Sequence, residues 1–267
     1  MHYPERIVCL SEESVEVLYL LGEDRRIVGI TGFAMRPPQA RKEKPKVSTF
    51  TDAKVHEILQ LQPDLVVGFS DIQANIAKQL VQEGLTVLIY NQRSLKEIFS
   101  MILTLGSLVG ATEKALQWLE KTQQNLQTIQ KETQQRPIRP KVYFEEWPDP
   151  MISTIQWVCE LIEIAGGENC FPELGRQKLA KNRIISNPNE VVQKNPDIII
   201  GSWCGKKFRP DQVKQRPGWN KITAVQKNYL FEIKSVYILQ PGPAALTDGL
   251  QQLKTIIDTW YQQEKKQ

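Results

Sequence analysis

Histidine is nearly missing from this chain: among 267 residues there are only His2 and His56. A Ser-His-Asp or Cys-His catalytic set would have to use His56, and a multi-histidine metal centre cannot be assembled at all. Most hydrolase chemistry is excluded on that ground, and no metal site is expected. Cysteine is sparse too. Cys9, Cys159, Cys170 and Cys204 follow no CxxC or zinc-ligand spacing, so free, mostly buried thiols are expected. No apolar run approaches the ~20 residues that a bilayer span needs. An excess of one charge is lacking as well: 34 Lys and Arg face 30 Asp and Glu, a net charge of +4. That balance does not suit a nucleic-acid protein, which would carry a basic face interleaved with aromatics. The opening residues, MHYPERIVCL, show no apolar signal core or small-residue cleavage site. As written the chain reads as cytoplasmic, or as periplasmic with its signal already removed.

What is present is repetition. Residues 57–70, EILQLQPDLVVGFS, match residues 190–203, EVVQKNPDIIIGSW, at a constant offset of 133 positions. Glu57 aligns with Glu190, Pro63-Asp64 with Pro196-Asp197, and Gly68 with Gly201. Each copy predicts a short helix, a Pro-Asp turn and a β-branched strand suited to burial on both faces of a parallel sheet. Residues 6–22 give a strand, a polar loop and a helix stopped at Gly22; residues 141–167 give the same with a longer loop and a stop at Gly166-Gly167. The segment between, about 111–135, is rich in helix formers without Pro or Gly. A helix of that length would run about 36 Å. The expected organisation is therefore an α/β chain of two Rossmann-like lobes with central parallel sheets. The N-terminal lobe covers residues 1–110, a single long bridging helix 111–136, and the C-terminal lobe 137–267.

In open parallel sheets, ligands sit beyond the carboxyl ends of the strands. In the first lobe those positions include Phe33 and Arg36, Phe50, then Phe69, Ser70 and Asp71, then Gln92 and Arg93. In the second they include Glu146 and Trp147, then Trp203, Cys204 and Lys206, and Ser235 through Pro243, Gln240 among them. An aromatic at the end of nearly every strand suits a large flat ligand held by stacking, with a few polar groups fixing its orientation. No base, nucleophile and orienting group gather as catalysis would need, so no enzyme is expected; the alternative is an enzyme acting on a metal cofactor through Cys204. Cys204, in WCGKK, is either a packing group or a soft ligand to cobalt or iron. Gly242-Pro243 is either a structural turn or an anion seat at a helix start. The basic residues Lys206, Lys207, Arg209, Lys214 and Arg216 form either a solvated surface or a rim favouring an anionic ligand.

The run RIVCLSEESVEVLYLLG, then RIVGIT, VSTF and EILQLQPDLVVG, resembles the opening lobe of ABC-importer binding proteins for cobalamin and ferric siderophores. EWPDP with ELIEIAGGENCF resembles the start of their second lobe, and the likeness covers about residues 6 to 260. The resemblance implies two α/β lobes joined by one long helix, a ligand in the cleft and no catalysis. It implies no built-in cofactor, a monomer, and a bulky metal chelate as ligand: cobalamin or another corrinoid first, a ferric siderophore or haem as the alternative. The family's cleft-lining positions fall on Phe33, Phe50, Phe69, Trp147 and Trp203. It also implies docking to an ABC permease through one glutamate per lobe. The family places that glutamate seven residues before the Pro of the Pro-Asp pair, on His56 and Asn189 here, while Glu57 and Glu190 stand one position later. A one-residue slip turns a helical side chain by about 100°, which leaves a carrier without a permease as an alternative.

Overall fold

The computed structural model describes residues 3–265, so His2 lies outside the described residues. Two compact units divide the chain: residues 1–121 with Pro241–Pro243, and residues 122–240 with 244–267.

The first unit is built on a five-stranded sheet. Its strands are β1 (Ile7–Cys9), β2 (Ile27–Thr31), β3 (Lys46–Ser48), β4 (Leu65–Phe69) and β5 (Val87–Tyr90), in the order β3-β2-β1-β4-β5. Every pairing is parallel. β1 lies in the middle, and its Ile7, Val8 and Cys9 are wholly buried, as a strand covered on both faces requires. Val8, Leu10, Val47, Ile58, Val66, Ile76 and Leu80 close the core on one side of the sheet. Below the sheet, Asp64 at the start of β4 accepts from the backbone N–H groups of Glu5 (2.7 Å) and Arg6 (3.0 Å), fixing the register of β1 against β4.

The second unit has strands β6 (Lys141–Pro148), β7 (Met151–Ser153), β8 (Glu168–Asn169), β9 (Ile198–Gly201) and β10 (Leu230–Glu232). The path is β10-β9-β6-β7, with β8 also pairing β6. Here Asp197 accepts from the Lys141 N–H at 2.8 Å, the counterpart of the Asp64 contact and the structural meaning of the repeated Pro-Asp pair. One feature departs from the expected parallel sheet: β7 runs antiparallel to β6. The stretch expected as a long loop is a hairpin. Glu146, Trp147 and Pro148 belong to β6 itself, and the chain reverses at Asp149-Pro150. Apolar Met151 and Ile152 then pair back along β6, so the tight Pro-containing turn, and not a loose excursion, disposes of the extra residues.

The helix expected at about 111–135 runs from Thr112 to Gln134, with residues to Lys121 in the first unit and the remainder in the second. No helix among the described residues is long and apolar enough to cross a membrane.

Candidate functional site

Each unit carries polar and aromatic groups at the carboxyl ends of its strands. In the first unit, Phe33 after β2 and Phe50 after β3 stack with ring centroids 4.5 Å apart and planes at 25°. Phe33 is 43% exposed, which leaves one face of the stack open to solvent. At the end of β4, Ser70 adopts φ of +65°, rare for a residue with a side chain. Its N–H donates to Tyr90 O at 2.7 Å and its Oγ accepts from Ile72 N at 3.3 Å, which holds the turn. Ser70 is itself buried, so it shapes the site without facing outward. The turn brings Asp71 within 3.3 Å of the Arg93 guanidinium, which lies 4.7 Å over the Phe69 ring. Arg93 is fixed from behind by the capping box of the helix Leu95–Leu108, where Glu97 accepts from the Arg93 N–H at 2.6 Å.

Behind these residues lies a buried acidic pair. Glu12 and Glu13 occupy the first turn of the helix Glu12–Leu20, where the helix dipole favours negative charge, yet they are only 7% and 3% exposed. Burial wins. Together with repulsion from Glu13 it pushes the Glu12 carboxyl up to about 8. Burial likewise pushes Glu13 up to about 7, against the opposing help of its own N–H, Ser11 and Gln92. Gln92 is buried and donates to Glu13 at 3.5 Å and to Pro241 O at 3.0 Å. Gly242 rests on Glu13 so closely that a Cβ there would meet the Glu13 Cβ at 2.6 Å. The Pro-Gly-Pro turn is thus a packing element against the acidic pair. Arg36 stands apart from these groups: it pairs with Glu16 at 3.0 Å and lines a cavity of about 360 Å³ with Tyr19, Leu20 and Pro37.

In the second unit the strand ends are held by two arginines. Arg216 grips Glu145 through two bonds of 2.6 and 2.9 Å, and Glu145 also accepts from Tyr143 Oη (2.8 Å) and Trp203 Nε1 (3.0 Å). Glu145 is 1% exposed, so four donors replace its water. Burial works against the Arg216 charge, but the bond and charge of Glu145 outweigh it and hold the guanidinium above its ordinary range. Arg183, 2% exposed, forks onto Glu146 and donates to Ser153 O at 2.7 Å, which clamps the β6–β7 hairpin. Trp147 is half-buried; its Nε1 donates to Asp149 O at 2.8 Å, and the Lys206 ammonium sits 4.3 Å over its ring.

The residues expected at the site therefore divide. Phe33 and Phe50 meet each other, and Phe69, Asp71 and Arg93 form a second group. Trp147 and Lys206 form a third. Trp203 is placed differently from its reading as a ligand-facing ring: it is 4% exposed and packs edge-on against Phe208 at 5.1 Å. Gln240 is also buried, whereas Cys204 is an exposed thiol. Glu57 is exposed and pairs with Lys54 at 2.9 Å, and Glu190 is exposed in the first turn of the helix Asn189–Lys194. Cys9, Cys159 and Cys170 are buried, and burial pushes each thiol up to about 12, which makes them inert packing groups. The Arg216–Glu145 and Arg183–Glu146 pairs were not expected. Their only signal is the doublet Glu145-Glu146 inside an otherwise apolar strand, which demands buried cations.

Comparison with known proteins agrees with this architecture. The periplasmic binding protein family model matches residues 7–237. The chain belongs to the periplasmic binding protein family and is a solute-binding protein, not an enzyme. It is 27% identical over 259 residues to the uncharacterized ABC transporter substrate-binding lipoprotein YvrC of Bacillus subtilis, covering 94% of this chain and 79% of that protein. It is 24% identical over 260 residues to the vitamin B12-binding protein of Vibrio cholerae, covering 95% of this chain and 89% of the relative. The solved structure of Staphylococcus aureus IsdE complexed with heme superposes with a TM-score of 0.79 at 23% identity, covering 96% of this chain and 99% of that one. The expectation of a cytoplasmic protein finds no support here, because the family is described as periplasmic and the first relative as a lipoprotein.

Proposed function

We propose that the chain binds a bulky metal chelate, a corrinoid of the cobalamin type, outside the cytoplasm and delivers it to an ABC permease. The observation that carries this is the Phe33–Phe50 stack at adjacent strand ends, in which Phe33 is exposed and Phe50 half-buried. Large planar ligands are held by such faces, with polar groups at the edge fixing orientation. Phe69 and Trp147, with Arg93, Asp71, Lys206 and Glu146 beside them, are the further contacts of this reading. Ser70, Gln92, Trp203, Cys204 and Gln240 belong to its surroundings, while Arg36, paired with Glu16, is not a contact of this reading. The relatives named for vitamin B12 and for heme support a metal-bearing macrocycle. Glu57 and Glu190, each exposed on a short helix of its own unit, are the proposed permease contacts. Haem is the second reading, favoured by the exposed Cys204 thiol as a soft donor for iron.

The test is optical titration of the purified chain with cyanocobalamin, haemin and a ferric siderophore in separate experiments. Micromolar binding of cyanocobalamin, seen as a displaced visible band or quenched tryptophan emission, is the expected result. Binding of haemin alone would replace the corrinoid with the second reading, and silence towards all three would remove the proposal.

A further inference from the structure

The Lys206–Trp147 contact bears on which chelates the chain accepts, and it rests on the macrocycle reading above. Three facts meet at the end of β9. Gly205, with φ of +72°, turns the chain into a left-handed bend that a side chain would disfavour. The bend delivers the Lys206 ammonium to a point 4.3 Å above the Trp147 ring, the most strongly cation-attracting of the aromatic faces. Lys206, Lys207 and Arg209 are all exposed, and among the described residues none of the three makes an ion pair. The buried or partly buried arginines of this unit have acids: Arg136 has Asp258, Arg183 has Glu146 and Arg216 has Glu145. The one carboxylate seen at this loop, that of Glu232, is turned to the Phe208 N–H (3.0 Å) and not to the three cations. A loop that leaves three cations without an ion pair beside an accessible indole is arranged for an anion that comes from outside the unit.

We infer that Lys206 is a displaceable cover on Trp147 which reads an oxyanion at the edge of the bound macrocycle. With no ligand, the ammonium takes the ring face as its partner. When a macrocycle stacks on the indole, the ammonium swings off the face and pairs with an oxyanion at the macrocycle's rim. An exposed cation–π contact and an exposed ion pair are of similar strength, so the exchange is close to balanced. Ligands carrying the oxyanion are then favoured over those that displace the lysine without rewarding it. Two sources supply this chemistry: the phosphodiester of a complete corrinoid's nucleotide loop, and the propionate carboxylates of haem.

Matched pairs of probes separate the sources. Cyanocobalamin is compared with dicyanocobinamide, which lacks the nucleotide loop, and haemin with its dimethyl ester, which lacks free carboxylates. In the wild-type chain one oxyanion-bearing member is expected to bind about fivefold more tightly than its partner, the scale of one exposed ion pair. K206M should abolish that ratio by weakening the oxyanion-bearing member alone, and K206R should restore it. The pair that responds identifies the source. If chelates bind but K206M leaves both ratios unchanged, the role of Lys206 is overturned while the macrocycle reading stands. If no chelate binds wild type, the macrocycle reading fails and takes this inference with it.

Discussion

The buried pair Glu12–Glu13 gives the first unit an unusual pH dependence. Both carboxyls are held above their ordinary range, Glu12 at about 8 and Glu13 at about 7, chiefly by burial. An unfolded glutamate loses its proton near 4.3. Between those values the folded chain binds more protons than the unfolded one, so stability must fall as pH rises. The contribution is whole below about 4.5 and is lost progressively up to about 8. One extra proton changes stability by about 1.4 kcal/mol per pH unit. If the pair retains at least one proton from pH 5 to 7, the loss over that range is about 3 kcal/mol. The assay is urea denaturation at pH 5, 6, 7 and 8, followed by a probe in the first unit and compared with E12Q/E13Q, whose neutral amides cannot titrate. Wild type should weaken steadily while the variant stays level. A wild-type curve that is flat, or that rises with pH, would refute the reasoning, because the carboxyls would then be ionised and accommodated in the fold.

The remaining expectations concern packing and the aromatic faces. R216M leaves Glu145 buried with only Tyr143 and Trp203 as side-chain donors, and should cost about 3 kcal/mol in denaturant unfolding of the second unit; E145L/R216M should recover much of that loss. G242A forces a Cβ to 2.6 Å from that of Glu13 and should cost about 1–3 kcal/mol, with the shortfall read as a lowered melting temperature. F33A removes one ring of the Phe33–Phe50 stack and should weaken chelate binding about fivefold in optical titration, with a stability loss of no more than about 1 kcal/mol because the Phe33 ring is exposed.

How much of this was legible beforehand depended on how local the governing physics is. The Pro-Asp repeat announced itself because one carboxylate must tie two strands together at the same place in each unit, as Asp64 and Asp197 do. The β-branched runs likewise reported burial on both faces. The hairpin after Glu146 was not legible, since Met151–Ser153 is too short for alternation to separate strand from loop. Trp203 illustrates a different limit. Its position beyond a strand suggested a ligand face, but the indole N–H found a buried carboxylate contributed from 58 residues away, and the ring followed it inward. The Arg216 partner is equally remote, 71 residues from Glu145, so the sequence offered only a surface charge where the fold built a core ion pair. Cation–aromatic contacts such as Arg93 on Phe69 depend on loop geometry that no periodicity encodes.

The most direct test of the central claim is equilibrium dialysis of the intact chain against cyanocobalamin and haemin, beside the variant F33A/F50A/W147A. Wild type should retain one chelate per chain, and the variant should retain none while still unfolding in a cooperative transition. Retention of chelate by a folded triple variant at the wild-type level, or no retention by wild type, would contradict an aromatic strand-end site for a metal macrocycle.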